Sequence, residues 1–208
     1  MNYKTIKNDG ICEVEIKKSH FICQLKRVET EEEGREFITQ IKKEHYKATH
    51  SCSAIIIGEN AEIKRSSDDG EPSGTAGVPM LTVLEKQGLT NVVAVVTRYF
   101  GGIKLGAGGL IRAYAGSVAN ALEEIGIVEV KEQEGLKLTL SYPQYQTFSN
   151  FLQAENLQEF DTEFLENVTT HIYLDPENVQ EVSDRLVEFY QGKVYFEKSG
   201  SKIVEVAL

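Results

Sequence analysis

The sequence has little of several residue types that would point to particular classes of protein. Its 208 residues include no tryptophan, four prolines and three cysteines. An odd number of cysteines without a Cys-x-x-Cys pair argues against a disulfide framework and against a structural zinc site. No apolar run approaches the ~18 residues of a membrane span, and the N-terminus lacks the apolar segment of a signal peptide. We therefore expect a cytoplasmic protein with reduced core thiols, and we predict neither a metal nor a cofactor.

Acidic residues outnumber basic ones, but they are unevenly spread. The formal net charge is −10; residues 1–130 contain 16 Lys and Arg against 18 Asp and Glu, whereas residues 131–208 contain 6 against 14. Nucleic-acid binding draws on cations that replace counterions. If nucleic acid binds, we therefore expect the first part of the chain to bind it through a local cluster of cations. The acidic second part is a candidate for binding protein instead.

One stretch, residues 91–126, predicts a strand, a glycine-rich loop and a helix in succession. Val92–Thr97 is a short β-branched run typical of a strand that is buried on both faces. Further on, apolar residues recur at three- and four-residue intervals up to Ile125, and Gly126 follows in the position of a C-cap. Between the two elements lie five glycines, from Gly101 to Gly109.

This glycine-rich loop is a candidate phosphate-binding site. It lacks Cβ atoms where a ligand would approach, and it leads into a helix N-terminus, where free N–H groups favour an anion. It matches neither the Walker pattern nor Gly-x-Gly-x-x-Gly directly after the strand. The alternative is a tight turn that only allows close packing, with solvated cations. The residues predicted to contact phosphate are Arg98, Lys104, Gly106, Gly108, Gly109 and Arg112, together with the hydroxyl groups of Ser73 and Thr75.

A second loop, dense in Gly, Pro, Ser and Asp, precedes this stretch and carries three carboxylates. Asp68, Asp69 and Glu71 are oxygen ligands of the kind that Mg²⁺ takes, but no complete ligand pattern is present. The alternative is turn chemistry, with Asp69 or Glu71 paired to Arg98 or Arg112. We favour the second interpretation and predict no metal site.

His50 and Cys52 are two residues apart on a predicted strand and therefore point the same way. A Cys–His nucleophile pair is one interpretation. The other is a core thiol beside a histidine at the start of a strand, and we favour it.

Three segments together resemble the signature of the IMPACT family, including its bacterial YigZ-type members. They are Asp-Asp-Gly-Glu-Pro-Ser-Gly-Thr-Ala-Gly at residues 68–77, Thr-Arg-Tyr-Phe-Gly-Gly-Ile-Lys-Leu-Gly at residues 97–106, and Gly-Gly-Leu-Ile-Arg-Ala-Tyr at residues 108–114. The resemblance implies a two-domain protein, a link to translation initiation in eukaryotic relatives, and a nucleic-acid-binding role in bacterial ones. It also implies a C-terminal domain similar to a domain of elongation factor G.

We predict an α+β protein of two domains. Residues 1–130 form an IMPACT-type domain with a mixed sheet packed by helices, and residues 135–208 form the second domain. Residues 128–135 are polar and acidic, which places the boundary there. The second domain shows the order strand, helix, strand, strand, helix, strand, which predicts a ferredoxin-like fold.

Three hypotheses for function follow. The first is a regulatory protein without enzymatic activity that engages RNA, or a translation-associated partner, through the glycine-rich loop, with Tyr99 and Phe100 available to stack on a base. The second is a hydrolase or transferase acting on a small phosphate-containing molecule. The third is a protein-interaction module that uses the acidic domain. The first is favoured, because the resemblance adds to the cations of the loop.

Overall fold

A computed structural model describes residues 2–208, which divide into two compact units. The first unit is residues 2–130 with Glu205–Leu208, and the second is Lys131–Val204. The elements of the first unit are β1 (Asn2–Ile6), β2 (Gly10–Ile16), β3 (Ser19–Arg27), α1 (Glu31–Glu44), β4 (His50–Ile57), β5 (Ile63–Ser67), α2 (Gly77–Lys86), β6 (Val92–Tyr99) and α3 (Gly106–Ile125).

The sheet of the first unit has the strand order β2-β3-β6-β4-β5, and every pairing in it is antiparallel. The expectation of a mixed sheet was therefore wrong. A strand covered on both faces reads as a continuous apolar run whatever the direction of its neighbours, so the apolar character of β6 did not reveal its pairing. The predicted order of strand, glycine-rich loop and helix is confirmed, with the strand as β6 and the helix as α3. The helix begins earlier than expected, at Gly106, so that Gly106, Gly108 and Gly109 lie in its first turn and the loop is residues 100–105.

Helices cover both faces of this sheet. On one face α2 and α3 enclose the larger core, which includes Phe21, Val96, Met80 and Tyr114. On the other face α1 covers a smaller core that includes Val93 and Val95. Alternate residues of β6 thus enter different cores, as the period of two in a strand requires.

The second unit is also built on an antiparallel sheet. In chain order its elements are β7 (Ile127–Leu140, which begins in the first unit), α4 (Tyr142–Glu155), β8 (Phe160–Phe164), β9 (Val168–Leu174), a 3₁₀ turn at Pro176–Asn178, α5 (Val179–Phe189) and β10 (Tyr195–Ala207). Strand β9 pairs with β7 and β8, and β10 pairs with β7. Its core is lined by apolar residues of the strands and of both helices, including Leu138, Phe148, Ile172 and Leu186.

Candidate functional site

The glycine-rich loop is exposed, and two of its features require glycine. Residues 102–104 and 106–108 are exposed to solvent. A Cβ on Gly101 would lie 2.0 Å from the backbone oxygen of Lys18, so no other residue fits without a shift of the backbone. Gly102 and Gly106 have φ of 88° and 74°, in the left-handed region that favours glycine. The backbone therefore dictates much of this sequence, independently of any ligand.

Helix α3 begins without a side-chain cap. Among residues 2–208, no side chain caps its first N–H groups, and its first turn holds no acidic residue. The first N–H groups of a helix have no partner within the helix, and the helix dipole favours negative charge near them. Lys104 and Arg112 are both exposed, and neither forms an ion pair within residues 2–208. This end of α3 is therefore a surface of positive potential.

Arg98 lies elsewhere, because the register of the sheet turns it inward. It is 5% exposed, and its Nη1 donates to Glu71 Oε1 at 2.7 Å. Its cross-strand neighbours are Phe21 on β3 and His50 on β4, and its guanidinium lies 5.5 Å and 5.3 Å from the ring centres of Phe21 and Phe100. The sequence grouped Arg98 with Lys104 and Arg112, but in the structure Arg98 is buried and ion-paired, whereas the other two are exposed.

Glu71 is the centre of this buried polar group. Its Oε1 also accepts a hydrogen bond from the Tyr114 hydroxyl at 2.7 Å, and its Oε2 lies 3.6 Å from His50 Nε2. Burial, with the neighbouring Cys52 and Glu71, raises the pKa of Tyr114 above its ordinary value, so the hydroxyl stays protonated and donates. Of the alternatives left open by the sequence, the structure shows pairing of Glu71 with Arg98.

The two aspartates of the preceding loop are held by backbone amides. Asp68 accepts hydrogen bonds from the amides of Gly74, Ala76 and Gly77 at 2.9–3.1 Å. Burial raises its pKa, but these hydrogen bonds outweigh burial and leave the pKa below its ordinary value. The Asp68 carboxylate therefore organises the loop and the start of α2.

Asp69 has partners from two other elements. It accepts from the Ser51 amide and from Lys42 Nζ, both at 2.7 Å. Burial opposes ionisation, but the bonds from Lys42 and Ser51 keep the pKa of Asp69 lowered. Within residues 2–208, no group of three or more His, Cys, Asp or Glu side chains is placed to hold a metal ion.

The hydroxyl groups of the same loop differ in position. Thr75 is buried, and its Oγ1 donates to the carbonyl of Pro72 at 2.6 Å. Ser73 is exposed. The structure thus uses the Thr75 hydroxyl within the turn and leaves that of Ser73 at the surface.

His50 and Cys52 have separate partners. His50 Nδ1 lies 2.8 Å from the carbonyl oxygen of Asp69, and the Cys52 thiol donates to the carbonyl of Asp68 at 3.0 Å. Burial is the main cause that raises the pKa of Cys52 to about 12. A thiol with so high a pKa forms little thiolate, which is the nucleophilic species.

A pocket of ≈ 400 Å³ joins the loop to the buried polar group. Its polar lining comes from Thr49, His50, Glu71, Arg98 and Lys104. Its apolar lining comes from Pro72, Phe100, Leu105, Ala107 and Leu110. Tyr99 is not part of the lining, since its hydroxyl bonds to His45 Nδ1 at 2.7 Å. Of the two aromatic residues predicted to stack on a base, Phe100 is thus the one at the pocket.

Sequence reasoning missed three contributors to this region. Tyr114 was treated only as part of a motif, although its position four residues after Leu110 places it on the buried face of α3. Lys17 and Lys18 form the exposed turn between β2 and β3 with φ of 47° and 64°, and the Lys18 carbonyl touches Gly101. No local pattern connects these lysines to the loop, because the contact depends on the pairing of β3 with β6.

Together these features define a two-domain α+β protein whose first unit carries an exposed glycine-rich helix start beside a pocket with a buried carboxylate. The Impact N-terminal domain model matches residues 17–122, and a model described as a domain of unknown function, DUF1949, matches residues 138–193. IMPACT family member YvyE of Bacillus subtilis is 46% identical over 98% of both chains. IMPACT family member YigZ of Escherichia coli is 35% identical over 86% of this chain and 89% of its own. The chain belongs to the IMPACT family, as the three sequence segments predicted.

One solved structure is similar over nearly the whole chain. A crystal structure described as that of a hypothetical protein is 31% identical, covers 96% of this chain and 98% of its own, and has a TM-score of 0.60. A structure described as a two-domain translational regulator covers 59% of this chain and 47% of its own with a TM-score of 0.37, which is too low to inform function. Across residues 2–208, no helix combines the length and the apolar character needed to cross a membrane.

Proposed function

We propose that this protein is a regulatory RNA-binding protein of the IMPACT type, and that it holds single-stranded RNA at the glycine-rich loop of its first unit. The observation that carries the proposal is the uncapped start of α3, exposed beside two cations that have no ion-pair partner in the described chain. Phosphate groups bind readily at such helix starts. A first unit of nearly balanced charge does not oppose a local site of this kind.

Each group in the site has a distinct role. Lys104 and Arg112 contact phosphate oxygens, the amides of Gly106 and Gly108 donate to them, and Ser73 adds an exposed hydroxyl. The Gly109 amide, which the sequence grouped with them, makes the first hydrogen bond within α3, to the Leu105 carbonyl. Lys17 and Lys18 extend the same cationic surface. Phe100, which is 48% exposed, offers a ring face for an unpaired base. Arg98 and Thr75 do not contact phosphate but maintain the protein framework behind the site.

The proposal predicts a definite dependence on salt. If about three or four phosphates are neutralised, log K falls with log salt with a slope of about −2 to −3 for single-stranded RNA. Fluorescence anisotropy with a short labelled RNA, at about 50 to 200 mM salt, measures that slope. Binding that is unaffected by salt would contradict the proposal.

A pair of double variants separates the loop from overall charge. Lys104→Ala with Arg112→Ala removes two charges from the loop, whereas Lys43→Ala with Lys86→Ala removes two exposed charges from α1 and α2. The first is expected to abolish most of the binding and to reduce the slope by about 1.4, since each contact contributes about 0.7. The second is expected to bind nearly as the wild type does. Equal losses in both variants would show a general charge effect and reject the site.

We also infer that the second unit has a ferredoxin-like arrangement and that residues 1–130 and 135–208 act as the two domains. The order of elements and the pairings β10 with β7, β7 with β9, and β9 with β8 support this arrangement. An experimental structure of the full chain in which β10 pairs with β8 would overturn it.

A further inference from the structure

The pocket beside the glycine-rich loop changes in chemical character from its opening to its floor. Lys104 and the exposed start of α3 supply positive potential at the opening. Glu71 and Arg98 at the floor are 7% and 5% exposed. Between them lie the apolar side chains of Phe100, Leu105 and Leu110. A volume of ≈ 400 Å³ is within the range of about 300–1,000 Å³ for small-molecule sites.

The floor presents hydrogen-bond acceptors that the protein does not use. Oε1 of Glu71 accepts from Arg98 and Tyr114, but Oε2 accepts no hydrogen bond from residues 2–208. The contact of Oε2 with His50 Nε2, at 3.6 Å, is too long for a hydrogen bond. Glu71 is the acidic member of an ion pair with Arg98, and a carboxylate in such a pair presents only acceptors.

His50 adds a second acceptor. Its Nδ1 lies 2.8 Å from the Asp69 carbonyl oxygen, and a carbonyl can only accept, so Nδ1 carries the hydrogen. In the neutral imidazole, Nε2 is then an acceptor. With the imidazole in that neutral form, two acceptors, Nε2 of His50 and Oε2 of Glu71, lie side by side, and no donor from residues 2–208 lies between them.

The same floor also contains an unmet donor. Nε of Arg98 has no hydrogen-bond partner in the described chain, although the side chain is almost fully buried. Buried polar groups in folded proteins nearly always have partners, and an exception calls for an explanation. A polar floor that is not satisfied from within is consistent with a site completed by a ligand.

We propose that this pocket binds one nucleotide unit whose base carries an exocyclic amine, with the amine donating to Glu71 and His50 and the phosphate held at the start of α3. Adenine, cytosine and guanine carry such an amine. At the position of the cytosine amine, uracil has a carbonyl oxygen, which cannot donate to the two acceptors, and its donor on that edge is the single N3–H. The base ring lies against Phe100 and Leu110. This inference rests on the proposed function, since an RNA strand supplies such a unit, but a free mononucleotide has the same chemistry.

Matched pairs of mononucleotides test the inference on the unaltered protein. CMP and UMP differ by an amine against a carbonyl at one ring carbon and by the hydrogen that the neighbouring ring nitrogen of uracil carries; AMP and IMP differ in the same two respects. Because hydrogen bonds to charged groups are worth about 1.5–3 kcal/mol, the amine-bearing member of each pair is expected to bind at least about tenfold more tightly. Isothermal titration calorimetry measures the four affinities. Equal affinities within each pair, or no binding by any of the four, would overturn the inference.

Two variants test which residue binds the base of the nucleotide and which binds its phosphate. His50→Ala is expected to narrow the ratio of CMP to UMP affinity, whereas Lys104→Ala is expected to weaken both nucleotides by the same factor and leave the ratio unchanged. A thermal melt checks that each variant is folded, and the wild-type pairs decide the question if His50→Ala is not. A ratio that is unaltered in folded His50→Ala would remove His50 from the site.

A competition experiment distinguishes this inference from the proposed function. If labelled RNA binds through Lys104 and Arg112 but no mononucleotide competes, the pocket inference fails and RNA binding stands. If the mononucleotides bind with the amine preference but RNA does not, the pocket inference stands with a free nucleotide as its source, and the proposed function fails. If CMP displaces oligocytidine from the protein, both stand and share one site.

Discussion

The buried pair of Arg98 and Glu71 allows the sharpest prediction about stability. Arg98 is 5% exposed and Glu71 7%, with 2.7 Å between Nη1 and Oε1, and Glu71 also accepts from Tyr114. Removing one member of a buried ion pair leaves the other charge without its partner, which costs about 3–5 kcal/mol. We therefore expect Arg98→Met alone and Glu71→Gln alone each to lower the free energy of unfolding by about that amount.

The double variant carries the decisive information. Because neither charge remains in it, we expect its loss of stability to be smaller than the sum of the single losses by about 2–3 kcal/mol. Urea denaturation followed by circular dichroism measures all four proteins. Lys104→Met is the control: its side chain is exposed and has no ion pair in the described chain, so a change within about 0.5 kcal/mol is expected. Additive single losses, or an Arg98→Met loss as small as that of the control, would refute the buried pair.

Three further predictions concern the loops and the core. Gly101→Ala is expected to lower the free energy of unfolding by about 2–3 kcal/mol or more, because the alanine Cβ would lie 2.0 Å from the Lys18 carbonyl oxygen. Gly116 is at an exposed helical position where an added Cβ would have no neighbour within 4 Å. Gly116→Ala is therefore expected to raise the free energy of unfolding by up to about 1 kcal/mol in the same urea assay. The pKa of Asp68 is lower in the folded protein than in the unfolded chain. The ionised carboxylate therefore contributes to the free energy of unfolding at pH values above the unfolded-state pKa, and this contribution is lost as the pH falls through the folded-state pKa. Wild type is therefore expected to lose more stability than Asp68→Asn between about pH 5 and pH 2.5 in urea titrations, and parallel pH profiles would contradict this. Burial raises the pKa of the Cys52 thiol to about 12, so this thiol is expected to resist iodoacetamide at pH 8 until the protein is unfolded. Mass spectrometry locates the labelled residue. Rapid labelling of Cys52 in the native protein would contradict the prediction, because it would show that the thiol is accessible and ionised.

The elements with strong periodicity could be predicted from the sequence, and their pairing could not. The helical spacing before Gly126 gave α3, and β9 was expected where it lies, at Val168–Leu174. The direction of the strands next to β6 depends on contacts far apart in sequence, so the expected mixed sheet was wrong. The segment 128–135, expected to join the domains, instead continues strand β7. Its alternation of buried Val128 and Val130 with more exposed polar residues was the available signal.

The candidate site, too, could be predicted from the sequence only in part. The exposed loop and its cations follow from local sequence, because glycines and a helix start lie next to each other in the chain. The inward position of Arg98 follows from the period of two in β6, where Ala94 and Val96 precede it on the same face. A charged residue that extends a buried row needs a buried partner, and the sequence offered Asp69 and Glu71 as candidates without deciding between them. This rule would not have located His50, whose position opposite Arg98 is set by the pairing of β4 with β6.

The most direct test of RNA binding at the glycine-rich loop is the change in backbone amide chemical shifts when a short single-stranded RNA is added to ¹⁵N-labelled full-length protein. Binding at the start of α3 predicts the largest shifts at Lys104, Gly106 and Gly108. Gly88 and Gly192, which follow the ends of α2 and α5, are expected to be unchanged. Shifts confined to residues 131–204, or no shifts at the start of α3 while RNA is bound, would contradict the proposed site.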